Sequence, residues 1–83
     1  MNAIDVIATE ARRGKTVIVD AYEKDGTRET REVEPYSIRS GKNGDRLMFW
    51  CLERNAMRSL LLPNIMSATP TGREFIPRYP IEF

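Results

Sequence analysis

A succession of short β-forming segments separated by turn residues is the feature that most limits how this chain can fold. Segments this short and this close together favour neighbouring antiparallel strands joined by tight turns, and they argue against a parallel sheet. Glycine, asparagine and proline mark the breaks, since these residues adopt turn conformations or interrupt a strand ladder. The expected breaks are Asp25-Gly26, residues 41–45, Asn55-Ala56, Pro63-Asn64 and Thr71-Gly72.

The strands between these breaks alternate apolar and polar residues or are rich in β-branched side chains. Pro35 has no amide hydrogen for a ladder, so a bend or bulge is expected there. The segment 46–54 is the most hydrophobic and is predicted to be the central strand. The predicted extended segments are 15–23, 27–34, 36–40, 46–54, 57–62 and 65–70, followed by an extended tail over 71–83.

One helix is predicted before the strands, over residues 3–13. Asn2 is a suitable N-cap and Gly14 a suitable residue just past the C-terminus. A helix this short must dock on other elements to be stable. The chain is therefore predicted to be a mostly β protein, with an N-terminal helix followed by a five-stranded antiparallel barrel of the SH3 or Sm kind, in a single domain over 1–83. The helix presents an apolar stripe of Ile4, Ile7, Ala8 and Ala11.

Composition limits the class of protein. The 83 residues suffice for one domain, and 41% hydrophobic with 30% charged residues is typical of globular proteins. Cys51 is the only cysteine, which excludes an intrachain disulfide and favours a cytoplasmic location. No apolar run reaches the roughly 20 residues of a membrane span. The chain begins with Met1 and is expected to be complete, and its net charge of +1 gives no global attraction for a polyanion.

The groups that most catalytic sites need are missing from the sequence. There is no histidine, the commonest general base, and no cysteine–histidine cluster for zinc. Cys51 lies among apolar residues and is expected in the core. The acidic residues alternate with arginines and are expected on a solvated, salt-bridged face, so an unrecognised carboxylate enzyme is the weakest alternative. No enzymatic activity, cofactor or metal is predicted.

The central strand is apolar on both faces. Alternation places Leu47, Phe49 and Cys51 on one side, and the residues between and beyond them on the other. One of these two sides is expected to fill the barrel, while the other is either covered by the helix or the tail, or serves as a subunit contact or ligand platform. Met48, Trp50 and Leu52 lie on the side opposite Leu47, Phe49 and Cys51.

Two arginines share a face with core residues. Arg58 aligns with Leu60 and Leu62, and Arg31 aligns with Val33. An arginine in such a position must reach solvent along its aliphatic stem, pair with an acid, or meet an anion. The spacing alone leaves open a structural ion pair or an anion pocket.

Several segments, in order, resemble the WYL domain family over about residues 14–80. The first is an aliphatic strand that ends in Tyr22, followed by Asp25-Gly26 and by the segment 30–36, which contains R-x-V-x-P before Ile38. The second is the aromatic-rich stretch 47–60. The third is the segment 65–71 with Phe75, which resembles the last strand of the family pattern and the phenylalanine that follows it.

This resemblance implies an Sm-like barrel that senses a ligand or binds nucleic acid through an arginine-lined cleft. The family usually occurs in bacterial transcription regulators behind a helix-turn-helix, which this chain does not contain, so a freestanding module is expected. The implied ligands are a nucleotide or single-stranded nucleic acid. The implied ligand-binding residues are Arg31, Arg58, Tyr22, Arg54 and Arg39, with Trp50 and Tyr36 as stacking residues if they are exposed.

The chain also departs from the family pattern. The Trp-Tyr-Leu tripeptide that gives the family its name falls at Asp45-Arg46-Leu47, so only its leucine is present. Leu60 stands where the family has a phenylalanine two residues after the arginine that matches Arg58. Asn64 stands where the family has an arginine before the last isoleucine. The alternative function is a protein-interaction module. In that case the apolar central strand, the barrel edges and the tail would mediate homo-oligomerisation or docking on a larger regulatory partner.

Overall fold

The computed structural model describes residues 1–83, and its elements follow the predicted order. A helix leads into the first strand, and the last two strands are separated by a single 3-10 turn. Its elements are α1 (Ala3–Arg12), β1 (Lys15–Tyr22), β2 (Arg28–Gly41), β3 (Gly44–Cys51), β4 (Ala56–Leu61), the 3-10 turn Leu62–Asn64 and β5 (Ile65–Glu74).

The five strands form one antiparallel sheet in the order β4-β3-β2-β1-β5. Consecutive strands pair as hairpins from β1 to β4, and the last strand returns to pair with the first. The edge strands β4 and β5 are joined only by the 3-10 turn, so the sheet curls into a small barrel-like shape. The predicted fold class is confirmed.

Helix α1 begins and ends close to the predicted residues. The Asn2 side chain accepts a hydrogen bond from the Asp5 amide at 2.9 Å, which satisfies one of the free donors at the helix N-terminus. Arg12 is the last helical residue, and Gly14 follows with φ +69°, the left-handed conformation that glycine allows. Ile7 is fully buried in the core that the sheet encloses.

The core lies between α1 and the inner face of the sheet. Phe49 and Leu47 are its largest members in the sheet, and Cys51 is fully buried beside them. Leu47, Phe49 and Cys51, which alternation places on one face of the central strand, therefore form its inner side. The core consists of Ile7, Val17, Val19, Ala21, Val33, Leu47, Phe49, Cys51 and Leu60.

Two predicted boundaries were wrong. Thr71-Gly72 is not a turn, because β5 continues to Glu74 and Gly72 absorbs a register irregularity with φ +77°. Such a conformation needs glycine in a bulged strand as much as in a turn, so the sequence signal was ambiguous. The tail is correspondingly shorter than predicted and begins at residue 75. The central strand also ends at Cys51, three residues early, in a turn that contains Asn55 at φ +52°.

Pro35 produces a bulge inside one continuous strand, β2. Pro35 lies opposite Phe49, but Ser37 lies opposite Met48, so one additional residue is inserted in β2 at this point. Because side chains alternate with a period of two, the insertion reverses which positions of β2 face the core. Ile38 consequently faces inward opposite Leu47.

The C-terminal strap, residues 75–83, crosses β2 after the last strand. The Phe75 amide donates to the Gly14 carbonyl at 3.0 Å, and the Glu82 amide donates to the Tyr36 carbonyl at 2.7 Å. Phe83 then packs against the core. None of the helical segments combines the length and apolar character needed to cross a membrane.

Candidate anion site

Charged side chains replace apolar ones at one end of the inner sheet face. In β2, Glu29 and Arg31 lie opposite Ala21 and Val19, two core residues of β1. In β4, Arg58 lies opposite Phe49, which also faces inward. The sheet register therefore brings Arg31 and Arg58, predicted from separate strands, to the same inner face.

These residues form a compact charged group, here called the arginine cluster, of Arg31, Arg54 and Arg58 with Glu23 and Glu29. Glu23 Oε1 lies 3.3 Å from Arg31 Nη2 and 3.5 Å from Arg58 Nη2. Glu29 contacts Arg31 and lies 3.6 Å from Arg54 Nη2. Each carboxylate thus bridges two guanidinium groups, and the positive charges outnumber the negative ones.

Arg31 is the buried centre of the cluster. Its residue is only 7% exposed, and one guanidinium nitrogen donates to the Cys51 sulfur at 3.7 Å. Its Nε has no hydrogen-bond partner, although it is buried. An unpartnered donor on a buried cation is costly in an apolar interior. The cluster therefore has hydrogen-bonding capacity that the protein itself leaves unused.

Two depressions lie against the cluster. One, of about 270 Å³, is lined entirely by charged residues, three basic and three acidic: Lys24, Arg54, Arg58, Glu23, Asp25 and Glu29. The other is a groove of about 610 Å³, and Tyr22 and Arg58 are among the residues that line it. Arg46 and Asn64 also line this groove.

Sequence reasoning missed four members of this region. Glu29 is two residues from Arg31, so the period of two was a usable signal for its position. Glu23 has the same spacing from Ala21, one residue past the end of β1. Lys24 and Arg46 carried no such signal, because their proximity depends on how the sheet curls.

Arg39 lies away from the cluster, although its spacing from Arg31 suggests the same face. The bulge at Pro35 reverses the alternation, so Arg39 faces outward opposite Arg46. There it contacts Glu82 of the strap and donates to the Ser37 hydroxyl at 3.3 Å.

The strap covers both predicted stacking residues. The Arg78 guanidinium lies over the Trp50 ring at 4.4 Å from its centroid. Tyr36 is 2% exposed, and the edges of the Phe75 and Tyr79 rings meet it at centroid distances of 5.8 and 5.4 Å. The exposure that stacking requires is absent for Tyr36. The outer side of the central strand is therefore covered in part by the tail.

A buried polar network anchors the strap. Glu34, 3% exposed, accepts hydrogen bonds from the Tyr36 hydroxyl at 2.8 Å and from Arg78 Nε at 3.1 Å. The Arg78 amide in turn donates to the Tyr36 hydroxyl at 3.0 Å. Burial, together with the Glu34 carboxylate, raises the pKa of Tyr36 to about 12.

Tyr22, one of the ligand-binding residues that the family resemblance implies, lies on the groove and is 39% exposed. Arg28 lies near its ring, with the guanidinium carbon 5.7 Å from the centroid. The Arg28 guanidinium is paired with Asp20, to which it donates two hydrogen bonds at 3.0 and 2.7 Å. These bonds hold the pKa of Asp20 below its usual value.

The fold is that of a small barrel-like β module with one N-terminal helix, and the comparisons with known proteins define its family. The model of the WYL domain matches residues 2–70, so this chain belongs to the WYL domain family. The match includes α1 and ends before the strap. WYL domains are known in regulators of transcription.

Among solved structures, the chain is similar to proteasome accessory factor B/C (PafBC) of Arthrobacter aurescens, with a TM-score of 0.76. The two are 18% identical, and the similarity covers 93% of this chain but only 13% of the PafBC chain. At this identity the likeness concerns the fold. Among curated proteins, no sequence matches the chain.

Proposed function

We propose that this protein is a non-catalytic regulatory module that binds an anionic ligand, a nucleotide or single-stranded nucleic acid, at the arginine cluster. Its role would lie in the regulation of transcription in the cytoplasm. The observation that supports this proposal best is the buried Arg31, whose Nε has no partner inside the protein. A second support is membership of a family known in transcription regulators.

Guanidinium groups suit this role because their planar donors match two phosphate oxygens at once. Arg31, Arg54 and Arg58 come from different strands and a turn, so a phosphate between them would meet donors from several directions. The groove beside the cluster extends the contact surface along Arg46 and Asn64. Tyr22 is the aromatic ring exposed on this groove, and it is our preferred candidate for stacking on a base.

The strongest test is the double variant Arg31→Ala/Arg58→Ala. We expect its affinity for a short fluorescein-labelled single-stranded DNA, measured by fluorescence anisotropy, to fall by roughly a hundredfold, since two charge-assisted contacts are lost. Wild-type binding should weaken steeply with rising salt, because phosphate contacts release counterions.

The matched control is Arg39→Ala/Arg73→Ala, which removes the same charge at exposed positions outside the cluster. Its affinity should stay within about twofold of wild type, because distant exposed charges are screened by salt. Equal losses in both double variants would show that binding depends on overall charge and would contradict the site. Circular dichroism establishes that each variant is folded.

A protein-interaction module is the second candidate function. Ile76 in the strap is 90% exposed and Met66 in the edge strand β5 is 51% exposed, which leaves apolar area on the surface. Light scattering across micromolar concentrations tests self-association directly. A strictly monomeric mass would count against the homo-oligomer, and loss of the oligomer in Ile76→Ser would support it.

A further inference from the structure

Glu23 lies where an anionic ligand of the cluster would have to lie. Its Oε1 is placed between Arg31 Nη2 and Arg58 Nη2, at 3.3 and 3.5 Å, and these two arginines come from different strands. Glu29 bridges Arg31 and Arg54 with its two different oxygens, Oε2 toward Arg31 and Oε1 toward Arg54. The pattern of one carboxylate oxygen between two guanidinium groups is the one that a phosphate oxygen forms in an arginine site.

A carboxylate on the same chain competes strongly with a free anion. Because it is tethered beside the arginines, its effective concentration exceeds that of a ligand in dilute solution. Both glutamate side chains are largely shielded, with 15% and 29% of their surface exposed for Glu23 and Glu29. A ligand must therefore displace an ion pair that is already formed and partly desolvated.

The displacement is feasible because neither carboxylate is fixed by a hydrogen bond from a neutral group. The side chain of Glu23 is held by its ion pairs with Arg31 and Arg58. The adjacent depression is polar and includes Lys24, which offers a displaced carboxylate an alternative cation close to solvent.

We infer that Glu23, assisted by Glu29, is an internal competitor that occupies the anion site of the empty domain and so selects ligands with several phosphate charges. This inference rests on the proposed function. A ligand with one negative charge exchanges one ion pair for another and gains little. A chain of phosphates contacts Arg31, Arg54 and Arg58 together, and its combined attraction exceeds that of the two glutamates.

Substitution of Glu23→Gln tests this competition, because glutamine keeps the shape of the side chain and removes its charge. We expect the affinity for fluorescein-labelled oligothymidylate, measured by anisotropy, to rise roughly tenfold, because the variant no longer has the charged side chain that competes with the oligonucleotide. Glu74→Gln is the matched control: Glu74 is exposed in β5, and the substitution changes the net charge equally. The control should alter the affinity by less than about twofold.

Selectivity supplies a second readout. Inorganic phosphate should displace the oligonucleotide from Glu23→Gln at lower concentration than from wild type, because the empty site no longer has its own anion. If Glu23→Gln does not fold, as judged by circular dichroism, Glu29→Gln is measured in the same way, with an expected gain of about threefold because Glu29 is the more exposed carboxylate.

The possible outcomes separate this inference from the proposed function. Tighter binding in Glu23→Gln but not in Glu74→Gln supports both. Equal binding by wild type and Glu23→Gln overturns the competition and leaves the anion site intact. Weaker binding in Glu23→Gln also overturns it, since Glu23 would then be positioning the arginines. Absence of oligonucleotide and phosphate binding in all variants overturns the proposed function and this inference together.

Discussion

The arginine cluster and the strap network are built from the same residue types, yet they differ in how completely those residues are satisfied. In the strap network, the buried Glu34 accepts from both Tyr36 and Arg78, and Arg78 also covers the Trp50 ring. In the cluster, the arginines outnumber the acids and the buried Arg31 keeps a free donor. The hydrogen bonds among Glu34, Tyr36 and Arg78 are complete without a ligand. The indole nitrogen of Trp50 beneath Arg78 is also buried without a partner, but it carries no charge, whereas the unpartnered donor of the cluster belongs to a buried cation.

This difference separates two roles that the residue types alone cannot separate. A complete buried network contributes to stability, because removal of one member leaves another charge unpaired. An incomplete network with spare donors contributes less to stability and leaves capacity for binding. We therefore expect substitutions in the strap network to affect unfolding, and substitutions in the cluster to affect ligand affinity.

The largest expected effect on stability comes from removal of the strap after Glu74. Truncation leaves Glu34 without Arg78 and exposes the rings of Tyr36 and Trp50. We expect the free energy of unfolding, measured by urea denaturation followed by circular dichroism, to fall by about 4 kcal/mol. A loss below about 1 kcal/mol would show that the strap is not part of the folded unit, which would remove one side of the comparison.

Arg78→Ala is expected to have a smaller effect, of about 2 kcal/mol, because Tyr36 continues to donate to Glu34. Arg58→Ala is the matched substitution in the cluster, since both side chains are partly exposed, 44% for Arg78 and 38% for Arg58. It should change the free energy of unfolding by less than about 0.5 kcal/mol, as expected for a partly exposed ion pair. Equal losses in the two variants would erase the distinction between the regions.

Among the substitutions in the strap network, Tyr36→Phe should have the smallest effect at neutral pH, about 1 kcal/mol, for the loss of the hydroxyl contacts. The variant should also alter the response to alkali. The pKa of Tyr36 is about 12 in the folded protein against the ordinary 10.0, so folding favours the neutral phenol. This contribution is fully present below pH 10 and is lost as the pH rises toward 12.

The measurement is the free energy of unfolding from urea denaturation between pH 9 and 12, for wild type, Tyr36→Phe and the partly exposed control Tyr79→Phe. Wild type and Tyr79→Phe should lose stability together over this range, and Tyr36→Phe should lose less. Parallel curves for all three proteins would contradict the assignment of the buried phenol to the strap network.

Most of the fold was predictable because its determinants are local. The stripe and caps of α1, the turn at Asp25-Gly26 and the hydrophobic strand 46–54 are patterns within a few residues of sequence. Gly72 was misassigned because a glycine with positive φ serves a bulge as well as a turn. The conformational preferences of the residues around Gly72 did not distinguish a bulge from a turn. The bulge exists because β5 pairs with β1, and this pairing joins residues far apart in the chain.

The candidate site was predictable only where the alternation of side chains along a strand is uninterrupted. Arg31 and Arg58 were each recognised because they share a face with core residues of their own strand. The strand register of the sheet then brings both arginines to the same inner face. Arg39 was included through the family resemblance and lies elsewhere, because the insertion at Pro35 reverses the face that follows it. The paired acids Glu23 and Glu29 became significant only when their distances to the arginines were known.

The position of Trp50 under Arg78 has a practical consequence for spectroscopy. It is the only tryptophan in the chain, so all of the indole emission originates beneath the strap. Its emission wavelength should report whether residues 75–83 are docked and should be nearly insensitive to occupancy of the arginine cluster. Intrinsic fluorescence and the anisotropy of a labelled oligonucleotide would then follow two separate events in one sample without any added probe on the protein.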